Sequence, residues 1–181
     1  ELARRADQVV ALEVDRRLFP ILDETLSSFD NVTVLEADAL TADLAAIVRT
    51  HFSGRTLSVA AHLPYYITSP ILMRLLEERL DCQDIVVMVQ KEAARRLCAR
   101  PGERVCGAIS AAVWYYAEPE ILFSVSRGSF YPPPAVDSAV IRLRVRSRPP
   151  VAVGDEPLFF QVVKTAFSMR RKTIRYKSKM I

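Results

Sequence analysis

The chain has 181 residues, half of them hydrophobic, which is enough for one domain with a sizeable core, or for one domain and a small appendage. No apolar run approaches the roughly 18 residues of a membrane-spanning helix, and the first residues lack the basic-then-apolar pattern of a signal peptide. We therefore expect a cytoplasmic protein with no membrane partner.

The net charge is +4, but from Val140 onward there are eleven Lys and Arg residues and two acidic residues. An acidic body with a basic tail indicates a polyanionic partner such as nucleic acid, the alternative being ordinary solvated charge.

Three cysteines and two histidines bear on the question of a metal site. Cys82, Cys98 and Cys106 are odd in number and stand outside any CxxC motif or Cys/His cluster, and His51 and His62 are isolated from them. We expect reduced thiols in the core and no metal.

Short β-branched runs alternate with longer amphipathic stretches through the first hundred residues. The predicted strands are 8–14, 31–38, 56–63 and 84–90, and the predicted helices are 17–29, 40–52, 69–80 and 91–100. Ser69 is placed to cap the third helix, with Pro70 in its first turn. The last strand is wholly apolar, which predicts burial on both faces. This alternation predicts an α/β fold with a parallel sheet and helices on both faces.

The rhythm changes towards the C-terminus. Strands at 120–126 and 138–146 are separated only by a turn-rich segment, which predicts an antiparallel hairpin. A hairpin appended to a parallel sheet is the closing pattern of the Rossmann-like methyltransferase fold. In the second strand Arg142, Arg144 and Arg146 alternate with apolar residues, so one face is apolar and the other carries an arginine ladder.

Two acidic residues close the first two predicted strands, at the sheet edge where ligands of open α/β sheets bind. Glu13 closes the first strand, where a carboxylate can accept hydrogen bonds from both hydroxyls of a ribose. Asp38, followed by Ala39, closes the second, where a carboxylate can accept from an adenine amine. Together they suit a nucleoside cofactor. Asp15 is an alternative to Glu13, and an acid at a strand end is also common as a helix cap or a solvated residue.

The third predicted strand ends in His62-Leu63-Pro64-Tyr65, at the next wall of the same predicted cleft. Pro64 has no N–H and stiffens the loop, so the carbonyl of Leu63 or Pro64 can face a ligand. Tyr65 offers a flat face on which a base can stack. Phe130 precedes three successive prolines and can close the other side of a base pocket. The alternative is a strand-ending proline with tyrosines packed in the core, and a proline-rich loop that only joins two strands.

Four segments occur in a distinctive order and spacing: "HLPYYITSPILMRLLE", "VQKEAARRLCARPGE", "FYPPPAVDSAVIRL" and "FSMRRKTI". In these segments the chain resembles the adenine dimethyltransferases of small-subunit ribosomal RNA, and the resemblance covers essentially all of its length. The related erythromycin-resistance methyltransferases of the large subunit share the Pro-Tyr and Phe-x-Pro motifs but are less similar at "AFSMRRKTI". The resemblance implies a methyltransferase domain over 1–148 and the start of a basic helical rRNA-binding domain over 149–181.

The resemblance also implies an activity: transfer of methyl groups from S-adenosylmethionine to two adjacent adenosines near the 3′ end of small-subunit rRNA, on the immature small subunit. Each adenosine would be methylated twice at N6 by a monomeric enzyme. Glu13 would bind the cofactor ribose, and Asp38 and Ala39 its adenine, with His62 beside the cofactor. Tyr65 would stack on the target adenine. The implied catalytic set is His62, Leu63, Pro64, Tyr65 and Phe130. The residues expected to contact rRNA are Arg142, Arg144, Arg170, Arg171 and Lys172.

Two departures from the family bear on activity. The family normally has asparagine at position 62, whose amide oxygen accepts a hydrogen bond from the target amine. His62 offers one acceptor nitrogen, and only when the ring is neutral. The first strand and the glycine-rich loop of the fold are absent before Glu1, so the chain looks like a fragment that binds the cofactor poorly. The alternative functions are a non-catalytic rRNA-binding assembly factor of the same fold and a large-subunit rRNA methyltransferase.

Overall fold

The computed structural model describes residues 1–168. The chain divides into two compact units, Glu1–Thr56 and the part from Leu57 onward, and each is described by itself. Arg170, Arg171 and Lys172, which the sequence predicts to contact rRNA, lie outside the described residues.

The first unit is built on two parallel strands. Strand β1 (Val9–Glu13) pairs with β2 (Val32–Glu36), so that Glu13 lies beside Glu36 in the register. Helices α1 (Phe19–Leu26) and α2 (Leu44–Phe52) follow the two strands, as the sequence predicts. The Asp43 side chain accepts a hydrogen bond from the Ala46 N–H at 2.8 Å and so caps α2.

The second unit holds a four-stranded mixed sheet. Its strands are β3 (Leu57–His62), β4 (Cys82–Gln90), β5 (Ala117–Val125) and β6 (Ser138–Val145). They are ordered β3-β4-β6-β5, with β3 parallel to β4 and β6 antiparallel to both of its neighbours. One reversed strand therefore enters between β4 and β5, which confirms the predicted α/β sheet with a closing antiparallel hairpin.

Four helices accompany this sheet: α3 (Thr68–Glu77), α4 (Lys91–Leu97), α5 (Ala108–Tyr116) and α6 (Glu156–Ser168). The prediction that Ser69 caps α3 is wrong, because the helix begins one residue earlier and has no side-chain cap. Instead, the Thr68 hydroxyl donates to the Pro64 carbonyl at 3.1 Å and joins the helix start to the preceding loop. Pro70 lies in the first turn, as predicted.

The core of the second unit lies on one face of its sheet. Ile85, Val87 and Val89 of β4 are at most 1% exposed, whereas Val86 and Met88 between them are half-buried. The prediction that β4 is buried on both faces is therefore wrong for the second face. An apolar run alone does not distinguish full burial from the alternating burial that a mixed sheet produces here.

A cluster around Glu156 fastens the start of α6 to α5. The Glu156 carboxylate accepts from the hydroxyls of Tyr116 at 2.6 Å and Tyr115 at 3.2 Å, and it forms an ion pair with Arg79. The Phe160 ring stacks on Tyr116 with 5.5 Å between ring centroids. Burial and then the hydrogen bond to Glu156 raise the pKa of Tyr116 well above its usual range. Helix α6, which lies in the helical domain predicted over 149–181, thus packs on α5, and the domain boundary near 148 stays a prediction.

Candidate functional site

In the first unit Glu13, the last residue of β1, and Asp38, two residues after the end of β2, lie at the same edge of the β1-β2 sheet. The Glu13 carbonyl accepts from the Ala37 N–H at 3.0 Å, and Asp38 is the next residue along the chain. One carboxylate oxygen of Glu13 accepts from the N–H groups of Val14 and Asp15, both at 2.8 Å. One oxygen of Asp38 accepts from the Leu40 N–H, also at 2.8 Å. Each side chain is thus held by its own loop and keeps a second oxygen for a ligand.

The neighbouring acids are already engaged by arginines. Arg17 binds both carboxylate oxygens of Asp15, with its Nη2 2.6 Å from Oδ2, and these side-chain hydrogen bonds lower the Asp15 pKa. Glu36, the register partner of Glu13, accepts from Arg16 Nε at 2.6 Å. Of the two alternatives the sequence leaves open, Glu13 is therefore the better placed to accept hydrogen bonds from a ligand.

In the second unit the end of β3 meets the proline-rich loop. His62 is the last residue of β3 and is exposed, and its ring centroid lies 6.0 Å from that of Phe130, with the planes tilted by 38°. Phe130 is half-buried immediately before Tyr131, whose peptide bond to Pro132 is cis. The proline-rich loop therefore does more than join two strands, because it sets an aromatic ring beside the residue that ends β3.

Tyr65 is anchored by the tip of its side chain. Its hydroxyl lies 2.8 Å from the hydroxyl of Ser138, the first residue of β6, which is fully buried. The Tyr65 ring itself is only half-buried, and Tyr66 is 84% exposed. The sequence left open the alternative that both tyrosines pack in the core. The structure excludes it, because neither tyrosine is buried.

The carbonyl of Pro64 is not free to face a ligand. It accepts from the Ile67 N–H and from the Thr68 hydroxyl, both at 3.1 Å. Within residues 1–168 the Leu63 carbonyl accepts no hydrogen bond, while the Leu63 side chain is buried. Of these two carbonyls, that of Leu63 is therefore the one available to accept a hydrogen bond from a ligand.

Asp137 connects three segments of this region, a role that its sequence context alone does not predict. Its carboxylate accepts from the Arg127 N–H at 3.0 Å, and its carbonyl accepts from the Lys91 N–H at 3.0 Å. The Lys91 ammonium lies 3.9 Å from the same carboxylate. Asp137 thus joins the end of β4, the start of β6 and the short helical turn before Phe130. The feature of the sequence that could have indicated this role is the position of Asp137 immediately before Ser138, where strand β6 begins.

The arginine ladder on β6 is confirmed as an alternation, but two of its three members form ion pairs with β5. Arg142 Nη2 lies 2.6 Å from Glu120 Oε2, and Arg146 Nη1 lies 2.9 Å from Glu118 Oε1. Arg144 is exposed and forms no ion pair with the described part of the chain. The predicted rRNA-binding role of Arg142 and Arg144 stays a prediction.

The cysteines behave as structural thiols. Cys82 and Cys106 are buried and Cys98 is half-buried, and burial raises the pKa of the Cys82 and Cys98 thiols to about 11. Residues 1–168 contain no group of three His, Cys, Asp or Glu side chains arranged to hold a metal ion. Nor does any helix over that range have the length and apolar character needed to cross a bilayer.

The α/β fold, with its closing antiparallel hairpin, is similar to that of Rossmann-like methyltransferases of known structure. Two solved structures show this similarity. The 23S rRNA methyltransferase ErmE is 30% identical, with a TM-score of 0.77 over 99% of this chain and 69% of its own. A dimethyladenosine transferase from Plasmodium falciparum is 27% identical, with a TM-score of 0.82 over 98% of this chain and 62% of its own.

The model of the ribosomal RNA adenine dimethylase family matches residues 1–181, and the chain belongs to that family. Ribosomal RNA small subunit methyltransferase A of Geobacillus thermodenitrificans (strain NG80-2) is 54% identical over 175 residues, which are 96% of this chain and 60% of the relative. The protein of the same name from Geobacillus kaustophilus (strain HTA426) is 52% identical with the same coverage. The chain thus spans about 60% of the length of these curated relatives.

Proposed function

We propose that the gene product containing this chain transfers methyl groups from S-adenosylmethionine to N6 of two adjacent adenosines near the 3′ end of small-subunit rRNA. The observation that carries the proposal is the arrangement at the end of β3, where Phe130 lies beside His62 and Tyr65 is tied to Ser138. Relatives that are 52–54% identical are named as small-subunit methyltransferases, whereas the large-subunit enzyme ErmE is 30% identical. This difference favours the small subunit as the substrate.

The chemistry of the acidic side chains in the first unit fits a nucleoside cofactor. Glu13 and Asp38 each keep a carboxylate oxygen outside their own loop's hydrogen bonds, and such oxygens suit the hydroxyls of a ribose and the amine of an adenine. Ala39, half-buried beside Asp38, would contact the adenine ring. When bound, S-adenosylmethionine supplies an electrophilic sulfonium methyl group.

In the second unit the loop after β3 would receive the target base. Tyr65 and Phe130 offer aromatic faces, and base–aromatic stacking is worth about 1–3 kcal/mol per base. That contact offsets the few kcal/mol needed to draw an adenine out of its stack. The Leu63 carbonyl would accept a hydrogen bond from the N6 amine, while Pro64 keeps the loop rigid. Positioning of the amine, rather than a strong base, would supply most of the rate gain.

The second candidate function is a non-catalytic rRNA-binding assembly factor, and His62 favours it. This residue occupies the place where the resemblance leads us to expect asparagine, at the same strand end as the Leu63 carbonyl. An imidazole has one acceptor nitrogen and reaches differently from a carboxamide. We infer that His62 weakens methyl transfer while leaving RNA binding intact. In either case the protein would act in the cytoplasm as a monomer, with the domain over 149–181, including Arg170, Arg171 and Lys172, contacting rRNA.

The test measures binding of immature small subunits, and methyl transfer to them and, separately, to large subunits, by the complete gene product and by its His62→Asn variant. The products are identified as N6,N6-dimethyladenosine by mass spectrometry, and Tyr66→Phe, at an 84% exposed position, serves as the control. Transfer by the parent supports the enzyme. Binding without transfer by parent and variant alike supports the assembly factor. A faster His62→Asn enzyme supports the inference about His62, and equal rates overturn it. Modification of large-subunit rRNA instead would overturn the choice of substrate.

A further inference from the structure

The basic side chains of the second unit fall into two groups. Several are neutralised by an acid within 4.0 Å, namely Arg74, Arg79, Lys91, Arg142 and Arg146. Others are exposed and form no ion pair with the described residues. Arg127, Arg144, Arg148 and Lys164 stand far apart in the sequence, whereas Arg95, Arg96 and Arg100 lie within six residues of one another. All three belong to α4 or to the turn that follows it.

The packing of α4 explains why these three side chains point to solvent. Ala94 and Leu97 supply its buried side. Its C-terminal end is fixed to α5 through two backbone carbonyls: that of Arg96 accepts from the Ser110 hydroxyl at 2.6 Å, and that of Ala99 from the Trp114 indole N–H at 2.9 Å. The backbone is therefore anchored while the guanidinium groups remain free to bind a partner.

The acids closest in sequence do not cancel this charge. Glu92, one turn before Arg95 and Arg96 on the same helix, and Glu103, three residues after Arg100, form no ion pair with these arginines. Glu120, whose charge contributes to the raised pKa of Cys98, is bound by Arg142. The outer side of α4 thus presents a concentration of unneutralised guanidinium groups.

The position of α4 relates this surface to the end of β3. Gln90, the residue before the helix, is the register partner of Ser138, which anchors Tyr65. The seven residues of α4 extend about 10 Å from that point, at about 1.5 Å per residue. Guanidinium groups at this distance can reach phosphates that flank a nucleotide inserted beside Tyr65.

We propose that Arg95, Arg96 and Arg100 form a phosphate-binding surface for the RNA backbone next to the target adenosine. Charge complementarity selects the occupant, because guanidinium groups bind phosphates bidentately and the adjacent aromatic site suits a base. The proposal rests on the proposed function in that it takes small-subunit RNA as the ligand. It differs from the sequence prediction, which placed the RNA contacts on β6 and on 170–172.

The test compares two double variants of the complete gene product that remove the same charge. Arg95→Gln/Arg96→Gln alters the proposed surface, and Arg49→Gln/Arg55→Gln removes two exposed arginines of the first unit that form no ion pair with any residue in 1–168. The measurement is the dissociation constant for immature small subunits over a series of KCl concentrations, with cofactor affinity measured by calorimetry as the check on folding. The slope of log K against log salt is negative, and each lost phosphate contact reduces its magnitude by about 0.7–0.9. The magnitude should therefore fall by about 1.5 for the first variant and by much less for the control.

The outcomes separate this proposal from the one before it. A lower salt slope and a raised KM with an unchanged kcat, confined to Arg95→Gln/Arg96→Gln, support the phosphate surface. If the parent binds rRNA and the two double variants behave alike, the surface proposal fails and the proposed function stands. If the parent binds no rRNA, both fail. A loss of affinity for polyglutamate but not for RNA would overturn the proposal in favour of an acidic protein partner.

Discussion

The hydrogen bond between Tyr65 and Ser138 predicts an asymmetric response to removing either hydroxyl. The two oxygens lie 2.8 Å apart, and Ser138 is 0% exposed while Tyr65 is only half-buried. Tyr65→Phe leaves the Ser138 hydroxyl buried without a partner, which costs about 1–3 kcal/mol of folding free energy. Ser138→Ala leaves the Tyr65 hydroxyl, which we expect to recover a hydrogen bond from water. The second substitution should therefore cost less than the first.

Urea unfolding of the two single variants and the double variant measures these energies as a double-mutant cycle. For a slope of about 2 kcal/mol per molar urea, a loss of 2 kcal/mol lowers the midpoint by about 1 M. Tyr66→Phe is the matched control, since the same hydroxyl is removed from a tyrosine that is 84% exposed, and its midpoint should not move. The double variant should be no less stable than Tyr65→Phe, because neither unpaired hydroxyl remains.

The same substitutions should also affect RNA binding. Tyr65→Phe keeps the aromatic face but frees it from Ser138, so the Michaelis constant for RNA should rise several-fold while cofactor affinity stays unchanged. If Ser138→Ala is as destabilising as Tyr65→Phe, or if Tyr66→Phe is equally harmful, the anchoring role assigned to this hydrogen bond is wrong.

Two further predictions concern the second unit. Glu156→Ala should destabilise the protein by about 1–3 kcal/mol, because it removes the acceptor of the Tyr116 hydroxyl and the partner of Arg79; a thermal or urea midpoint equal to that of the parent would contradict this. With pKa values of about 11, Cys82 and Cys98 should be alkylated slowly at pH 8 and faster with each unit of pH towards 11, whereas the urea-unfolded chain should react at once. In the unfolded chain these thiols ionise near pH 9.0, before they do in the folded protein, so their contribution to stability should be lost as the pH rises from 9 to 11. Rapid labelling of the folded protein at pH 8 would contradict the raised pKa of these two thiols.

The strands and most of the helices could be predicted because their signals are local. The β6 run alternates apolar residues with arginines, and the structure shows the corresponding alternation of burial. Helix α5 could not be predicted in the same way. Its sequence, "AISAAVWYY", is apolar almost throughout and has no polar stripe, and Ser110 within it is fully buried. The helix is defined by what it packs against, which no local pattern contains.

The candidate site shows the same division. The motif around Pro64 and Phe130 predicted an aromatic site, and the structure places Phe130 beside His62. The choice between the carbonyls of Leu63 and Pro64 could not be made from the sequence. It depends on Thr68, whose hydroxyl donates to the Pro64 carbonyl; Thr68 is the first residue of α3 because Ile67, and not Ser69, occupies the cap position.

The arginines show why charge alone does not locate an RNA-binding surface. In sequence, the ladder on β6 is the more conspicuous basic pattern, yet Arg142 and Arg146 form ion pairs with glutamates that only the β5-β6 pairing brings opposite them. Arg95 and Arg96 stand beside Glu92 in the sequence and look neutralised, yet the structure leaves both exposed and without an ion pair to the described residues. The electrostatic attraction available to a phosphate depends on which cations remain unpaired after folding. Pairing is a property of the tertiary structure, so the salt dependence of RNA binding by Arg95→Gln/Arg96→Gln tests whether the structure identifies the unpaired cations correctly.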